Sequence, residues 1–169
     1  MVNRLTDQVF YIRENDDWVL KRTQDIFNDK EVVVFGLPGA FTPTCSAFQL
    51  PKFEELYDTF KDLGIDEVYC TSVNDSFVLN AWFEQQGITK VKALPDGNGD
   101  FAKSVNMIND FTNRGFGMRS WRYCMYVKNA EIKVRYAEWG EPEACPIQDP
   151  FEVSSAEQMI EARNNIKAN

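Results

Sequence analysis

The stretch Glu31-Val32-Val33-Val34-Phe35-Gly36-Leu37-Pro38-Gly39-Ala40-Phe41-Thr42-Pro43-Thr44-Cys45-Ser46 decides how the chain folds. Its first seven residues form an apolar run of strand length, with charge before it and Pro38-Gly39 after it. A strand buried on both faces, central in an α/β sheet, reads this way. The rest is a proline-bounded loop, and beyond it Phe53, Leu56, Tyr57, Phe60 and Leu63 recur at spacings of three and four. That is the buried face of a helix running from residue 45 to residue 63. Pro51 lies inside it and is expected to bend or break it, because its ring clashes with the preceding turn.

Outward from this unit, residues 66–73 read as a second strand. Tyr123-Cys124-Met125-Tyr126-Val127 and Ile132-Lys133-Val134-Arg135-Tyr136 flank Lys128-Asn129-Ala130-Glu131, which predicts a hairpin. Residues 76–86 carry Phe77, Trp82 and Phe83 and stop at Gly87, as a helix would. Ser154-Ser155-Ala156-Glu157 fits a capping box opening a last helix to about Ile166. The order strand, helix, strand, helix, hairpin, helix describes an α/β fold with a central mixed sheet flanked by helices, and the thioredoxin-like fold fits it. No repeat, low-complexity tract or linker interrupts the chain, so residues 1–169 are expected to form one domain.

Composition narrows the function. The chain has 44% hydrophobic residues and a formal net charge of −8, which argues against disorder and against nucleic acid or anionic membrane as a partner. The first residues lack the apolar run of a signal peptide, and no apolar stretch nears the ~20 residues of a membrane span, so a cytoplasmic location is expected. Histidine is absent. That removes Cys-His and Ser-His nucleophilic pairs, His-ligated zinc and His acid–base chemistry. The four cysteines, Cys45, Cys70, Cys124 and Cys145, include no Cys-x-x-Cys pair, which weakens the zinc and thioredoxin-type readings. No metal or cofactor is expected.

Cys45 stands at a strand–helix junction, where unpaired N–H groups and the positive end of the helix dipole favour a thiolate. A free cysteine titrates near 8.5, and lowering that by two or three units requires about 3–4 kcal/mol. A helix terminus supplies at most about 2 kcal/mol. A lysine or arginine must supply the rest. The plain alternative is a small buried hydrophobe. Thr42, three residues before Cys45, can bring a hydroxyl to the same pocket.

The pattern Pro38-x-x-x-Thr42-x-x-Cys45 resembles the active-site signature of peroxiredoxins, and Pro-Gly-Ala-Phe-Thr-Pro-Thr-Cys-Ser resembles the peroxiredoxin-5 subfamily, in particular the bacterial forms fused to a glutaredoxin. The likeness continues through Ser72-Val73-Asn74-Asp75-Ser76-Phe77-Val78, Pro95-Asp96-Gly97-Asn98-Gly99 and the run from Gly115 to Tyr123. It implies that Cys45 is the peroxidatic cysteine, that Thr42 hydrogen-bonds peroxide and thiolate, and that Pro38 shields the site from water. It also implies an arginine over the sulfur. Arg122 matches that position, and Arg119 is the other plausible cation. One departure stands out: the subfamily has His four residues after the cysteine, and here Gln49 is present, which cannot titrate near neutral pH.

The resemblance further implies a homodimer acting on hydrogen peroxide and alkyl hydroperoxides, regenerated by glutathione, glutaredoxin or thioredoxin. No Cys-Pro-x-Cys segment is present to serve as an attached glutaredoxin. Cys70 and Cys124 fall in predicted strands and are expected to be buried and structural. Cys145, in the Pro- and acid-rich segment 141–150, is the candidate resolving cysteine, although its acidic neighbours disfavour a thiolate. Two other functions compete. A thiol–disulfide oxidoreductase would want a second cysteine where Phe48 stands, and a non-enzymatic peroxide sensor would oxidise without turnover.

Overall fold

The computed structural model describes residues 3–44, 48–138 and 151–168. Cys45 and Cys145 lie outside the described residues. The apolar run becomes β3 (Glu31–Gly36), the middle strand of a five-stranded sheet. On one side it pairs in parallel with β4 (Glu67–Ser72), which pairs in parallel with β5 (Lys92–Pro95). On the other side it pairs antiparallel with β8 (Tyr123–Lys128), and β8 with β9 (Glu131–Ala137). The expected mixed sheet and hairpin are therefore present, in the order β5-β4-β3-β8-β9.

Alternation along β3 explains why every residue of it after Glu31 is apolar. Val33 and Phe35 face one core, with Val68, Cys70, Cys124 and Tyr126 from the neighbouring strands. This face is covered by α2 (Leu50–Glu55), α3 (Tyr57–Asp62), α4 (Ser76–Gln86) and α6 (Ala156–Ala168). Phe35 and Phe53 stack at 3.9 Å, and Phe60 continues the stack. Val32 and Val34 face the second core, closed by the hairpin β1 (Val9–Glu14) and β2 (Asp17–Arg22) and by the short helices α1 (Thr23–Phe27) and α5 (Asp100–Ser104). A small ladder, β6 (Ile108–Asp110) with β7 (Met118–Ser120), stands before β8. None of these short elements has a long enough periodic pattern to be read from sequence.

The last residue of β3, Gly36, is glycine for a steric reason. A Cβ there would lie 2.2 Å from the Tyr123 ring, which packs over the bare Cα. Helix α4 begins where Asp75 accepts the Val78 N–H at 2.9 Å, and it ends at Gly87 in the left-handed conformation (φ 68°), the stop that its sequence predicts.

Two details differ from expectation. Before Pro51 the helix widens to π geometry at Phe48 and Gln49, and Pro51 then sits in the first turn of α2. A missing N–H is tolerated there. The sharper interruption comes at Leu56 (φ −96°, ψ 10°), after which Tyr57 donates its hydroxyl to Glu67 at 2.8 Å. At α6 the cap is one residue later than the capping box suggests. Ser155 Oγ accepts the Gln158 N–H at 3.1 Å, whereas Ser154 is fully buried in the core beneath it. Among the described residues no helix is long and apolar enough to cross a membrane.

Candidate active site

The loop after β3 is built as a tight, inward-tied turn. Leu37 extends the parallel ladder by donating its N–H to Thr71 O at 3.2 Å. Ala40 N–H donates to Asn74 Oδ1 at 3.0 Å, and Ser72 Oγ donates to the same oxygen at 2.6 Å, so the loop is pinned to the end of β4. Pro38 and Gly39 are buried, in keeping with a proline that keeps water out. Thr42 donates its hydroxyl to Gly39 O at 2.7 Å. Its proton thus closes the turn here, and rotation about the C–O bond would present it to an incoming oxygen.

Phe41, between these anchors, is half-exposed and has φ 66°. A bulky residue in the left-handed region costs about 1–2 kcal/mol. The pinned turn holds that strain, which is a feature of functional loops. Nothing in the sequence signals it.

Both candidate cations reach this end of the sheet, in different ways. Arg119, on β7, donates Nη1 to Pro38 O at 3.3 Å and Nε to Phe116 O at 3.0 Å, with its guanidinium 5.4 Å from the Phe116 ring. Partial burial lowers its pKa from the usual arginine value through desolvation, but an arginine stays charged under such a shift. Arg122, at the entry to β8, is only 1% exposed. Its Nη1 donates to Gln49 Oε1 at 2.5 Å, and its guanidinium carbon lies 6.0 Å from the centre of the Phe151 ring. Gln49 is fully buried, and its Nε2 has no hydrogen-bond partner among the described residues. Arg119 therefore braces the loop backbone, and Arg122 is the buried charge. The Gln49 contact was not legible in sequence, since the two residues are 73 positions apart.

The other described cysteines are ruled out as nucleophiles. Cys70 and Cys124 face the helix-covered core on either side of Phe35, both fully buried. Burial pushes the Cys124 thiol well above its ordinary pKa, so it stays neutral and unreactive. A cavity of about 550 Å³ lies between the β1–β2 hairpin and the loops after β4 and β5, and Pro38, Thr42 and Arg122 are not among its lining residues.

A family model described as Redoxin matches residues 12–160. The chain is 46% identical over 166 residues to Peroxiredoxin sll1621 of Synechocystis sp., covering 93% of this chain and 87% of that protein. The chain belongs to the peroxiredoxin family. This peroxiredoxin is also 45% identical over 151 residues to the hybrid peroxiredoxin hyPrx5 of Haemophilus influenzae, covering 89% of this chain and 61% of that one. Its backbone is similar to that of reduced Prx3 of Vibrio vulnificus in complex with hydrogen peroxide, with a TM-score of 0.84 and 33% identity over 95% of this chain and 96% of that one. The activity class is accordingly that of a thiol peroxidase on a thioredoxin-like fold.

Proposed function

We propose that Cys45 is the attacking thiolate of this peroxidase, with Thr42, Pro38 and Arg122 as its site. The thiolate attacks one oxygen of hydrogen peroxide or an alkyl hydroperoxide in line with the O–O bond. The S–O bond forms as the O–O bond breaks, and the departing oxygen takes a proton to leave as water or alcohol. Cysteine is oxidised to the sulfenic acid and the peroxide is reduced. A thiol then condenses with the sulfenic acid, releasing water, and a second thiol exchanges with the mixed disulfide to restore Cys45.

The observation that carries this reading is the buried Arg122 guanidinium, oriented by Gln49 at the end of β3 where the loop begins. A charge held in a site of low dielectric stabilises a developing oxyanion far more than one in water. Thr42 supplies a rotatable donor within the same turn. The chain as a whole, residues 1–169, forms one such domain, works in the cytoplasm with glutathione, glutaredoxin or thioredoxin as reductant, and pairs with a second copy. Cys145 is proposed as the resolving thiol.

Fully reduced protein treated with one equivalent of hydrogen peroxide and a sulfenic-acid trap, then mapped by mass spectrometry, tests this. An adduct on Cys45 is expected, or a Cys45–Cys145 disulfide if Cys145 resolves. A Cys45 that stays a free thiol while other cysteines react overturns the assignment.

A further inference from the structure

Arg122 is flanked by a second buried charge that its own strand does not explain. Glu138 follows directly on β9 and is 0% exposed. Its backbone locks onto the two residues that lead into β8: Glu138 N–H donates to Arg122 O at 3.0 Å, and the Trp121 indole N–H donates to Glu138 O at 2.6 Å. Its carboxylate accepts three consecutive backbone N–H groups from beyond residues 139–150: Glu152, Val153 at 3.0 Å and Ser154 at 2.8 Å. The residue just before this trio is Phe151, whose ring faces the Arg122 guanidinium.

Charge-assisted bonds to three N–H groups are the strong kind, and they fix a short segment by its backbone alone. One side chain thus grips the segment that carries Phe151 while its backbone grips the residue that carries the cation. The ring also covers the guanidinium, limiting its hydration and fixing its plane.

We infer that Glu138 is a positioning residue for Arg122, acting through Phe151, and that it tunes the reactivity of the Cys45 thiolate without touching peroxide. The inference rests on the assignment of Arg122 as the cation of the site. With the clasp loosened, Phe151 leaves the guanidinium, water reaches it, and the charge is both displaced and screened. The thiolate is then less favoured and the leaving oxygen less well stabilised.

Peroxide reactivity is measured by stopped flow as a function of pH for the full chain and for Glu138→Gln, Phe151→Ala, Arg122→Met and Glu54→Gln. Glu54 is the control, because its carboxylate clasps three consecutive N–H groups of Thr89, Lys90 and Val91 in the same manner on a turn outside the site. Glu138→Gln is expected to slow the reaction about tenfold and to move the thiolate inflection upward by about half a pH unit. Phe151→Ala, which leaves the clasp intact, is expected to do the same. Glu54→Gln is expected to lower stability with the inflection unmoved, and Glu138→Gln/Arg122→Met to be no slower than Arg122→Met alone. If Glu138→Gln does not fold, Phe151→Ala decides. An unmoved inflection in the folded variants, alongside a slow Arg122→Met, overturns the role of Glu138 and leaves the peroxidase assignment standing. A fast Arg122→Met overturns the assignment of the cation itself, and this inference with it.

Discussion

The two ends of β3 each meet a buried arginine, and the two are held in opposite ways. At the start of the strand Arg163 is 7% exposed and donates to the Glu31 carboxylate at 2.8 Å, beside the ring of Tyr126, whose hydroxyl also reaches Glu31. At its end Arg122 donates to Gln49, a neutral amide, beside the ring of Phe151. Both pairings orient a guanidinium against an aromatic face. In the first the partner is a carboxylate, in the second the Gln49 amide. The carboxylate-paired arginine ties α6 to the sheet, whereas the amide orients the Arg122 guanidinium at the end of β3, where the following loop begins. Under the proposed function, the same side-chain type serves cohesion at one end and chemistry at the other.

Substitutions can break this contrast. The largest effect is expected at the nucleophile: Cys45→Ser should abolish peroxide reduction in a stopped-flow assay, and full activity there would sink the mechanism. Next, Arg122→Met should lower kcat/KM by about 10²-fold or more, and Thr42→Val by a similar factor, while the circular dichroism spectrum stays native. Arg163→Met should give the mirror-image result. It leaves the Glu31 charge without its buried partner, so stability in urea should fall by about 3 kcal/mol while peroxide reactivity stays within about twofold. If Arg163→Met slows the chemistry as much as Arg122→Met, the two ends are not functionally distinct.

Asp96 sharpens the contrast from the anionic side and should give the smallest effect. It is 7% exposed, and its carboxylate is held by the N–H groups of Phe101 and Ala102 at 3.0 and 2.9 Å. Burial pushes its pKa up to about 6, although those N–H groups pull the other way. The folded state therefore binds this proton more tightly than the unfolded chain does. Its contribution to stability is full below about pH 4 and lost as pH rises through about 6, and the part lost between pH 4.5 and pH 7 is about 2 kcal/mol. Denaturant unfolding at pH 4.5 and pH 7 checks this. Asp96→Asn should flatten the difference, and an unchanged pH dependence would remove Asp96 as its source.

Much of this was legible from residues alone. The unbroken apolar run of β3 announced a strand covered on both faces, and both cores confirm it. Gly87 marked the end of α4 because cap chemistry is local. The Pro38-to-Cys45 pattern marked the candidate site loop for the same reason, its residues being neighbours in sequence. The π widening ahead of Pro51 and the break at Leu56 were legible only as a disturbance somewhere in the helix, since its form depends on what α2 and α3 pack against. The β1–β2 hairpin and the short helices escaped notice because their patterns are too brief to stand above chance.

What the sequence determined by itself was therefore the central strand, the loop that follows it, the absence of any histidine to assist the thiol, and two arginines near the right place. Tertiary structure alone decided which of them is buried, what orients it, and that Gln49, Phe151 and Glu138 surround it. The physical reason is distance along the chain. Periodicity and capping act over a few residues and are written where they act, whereas the hold on Arg122 is assembled from the residue before α2, the residue after β9 and the segment ahead of α6, which only the packed sheet brings to one point.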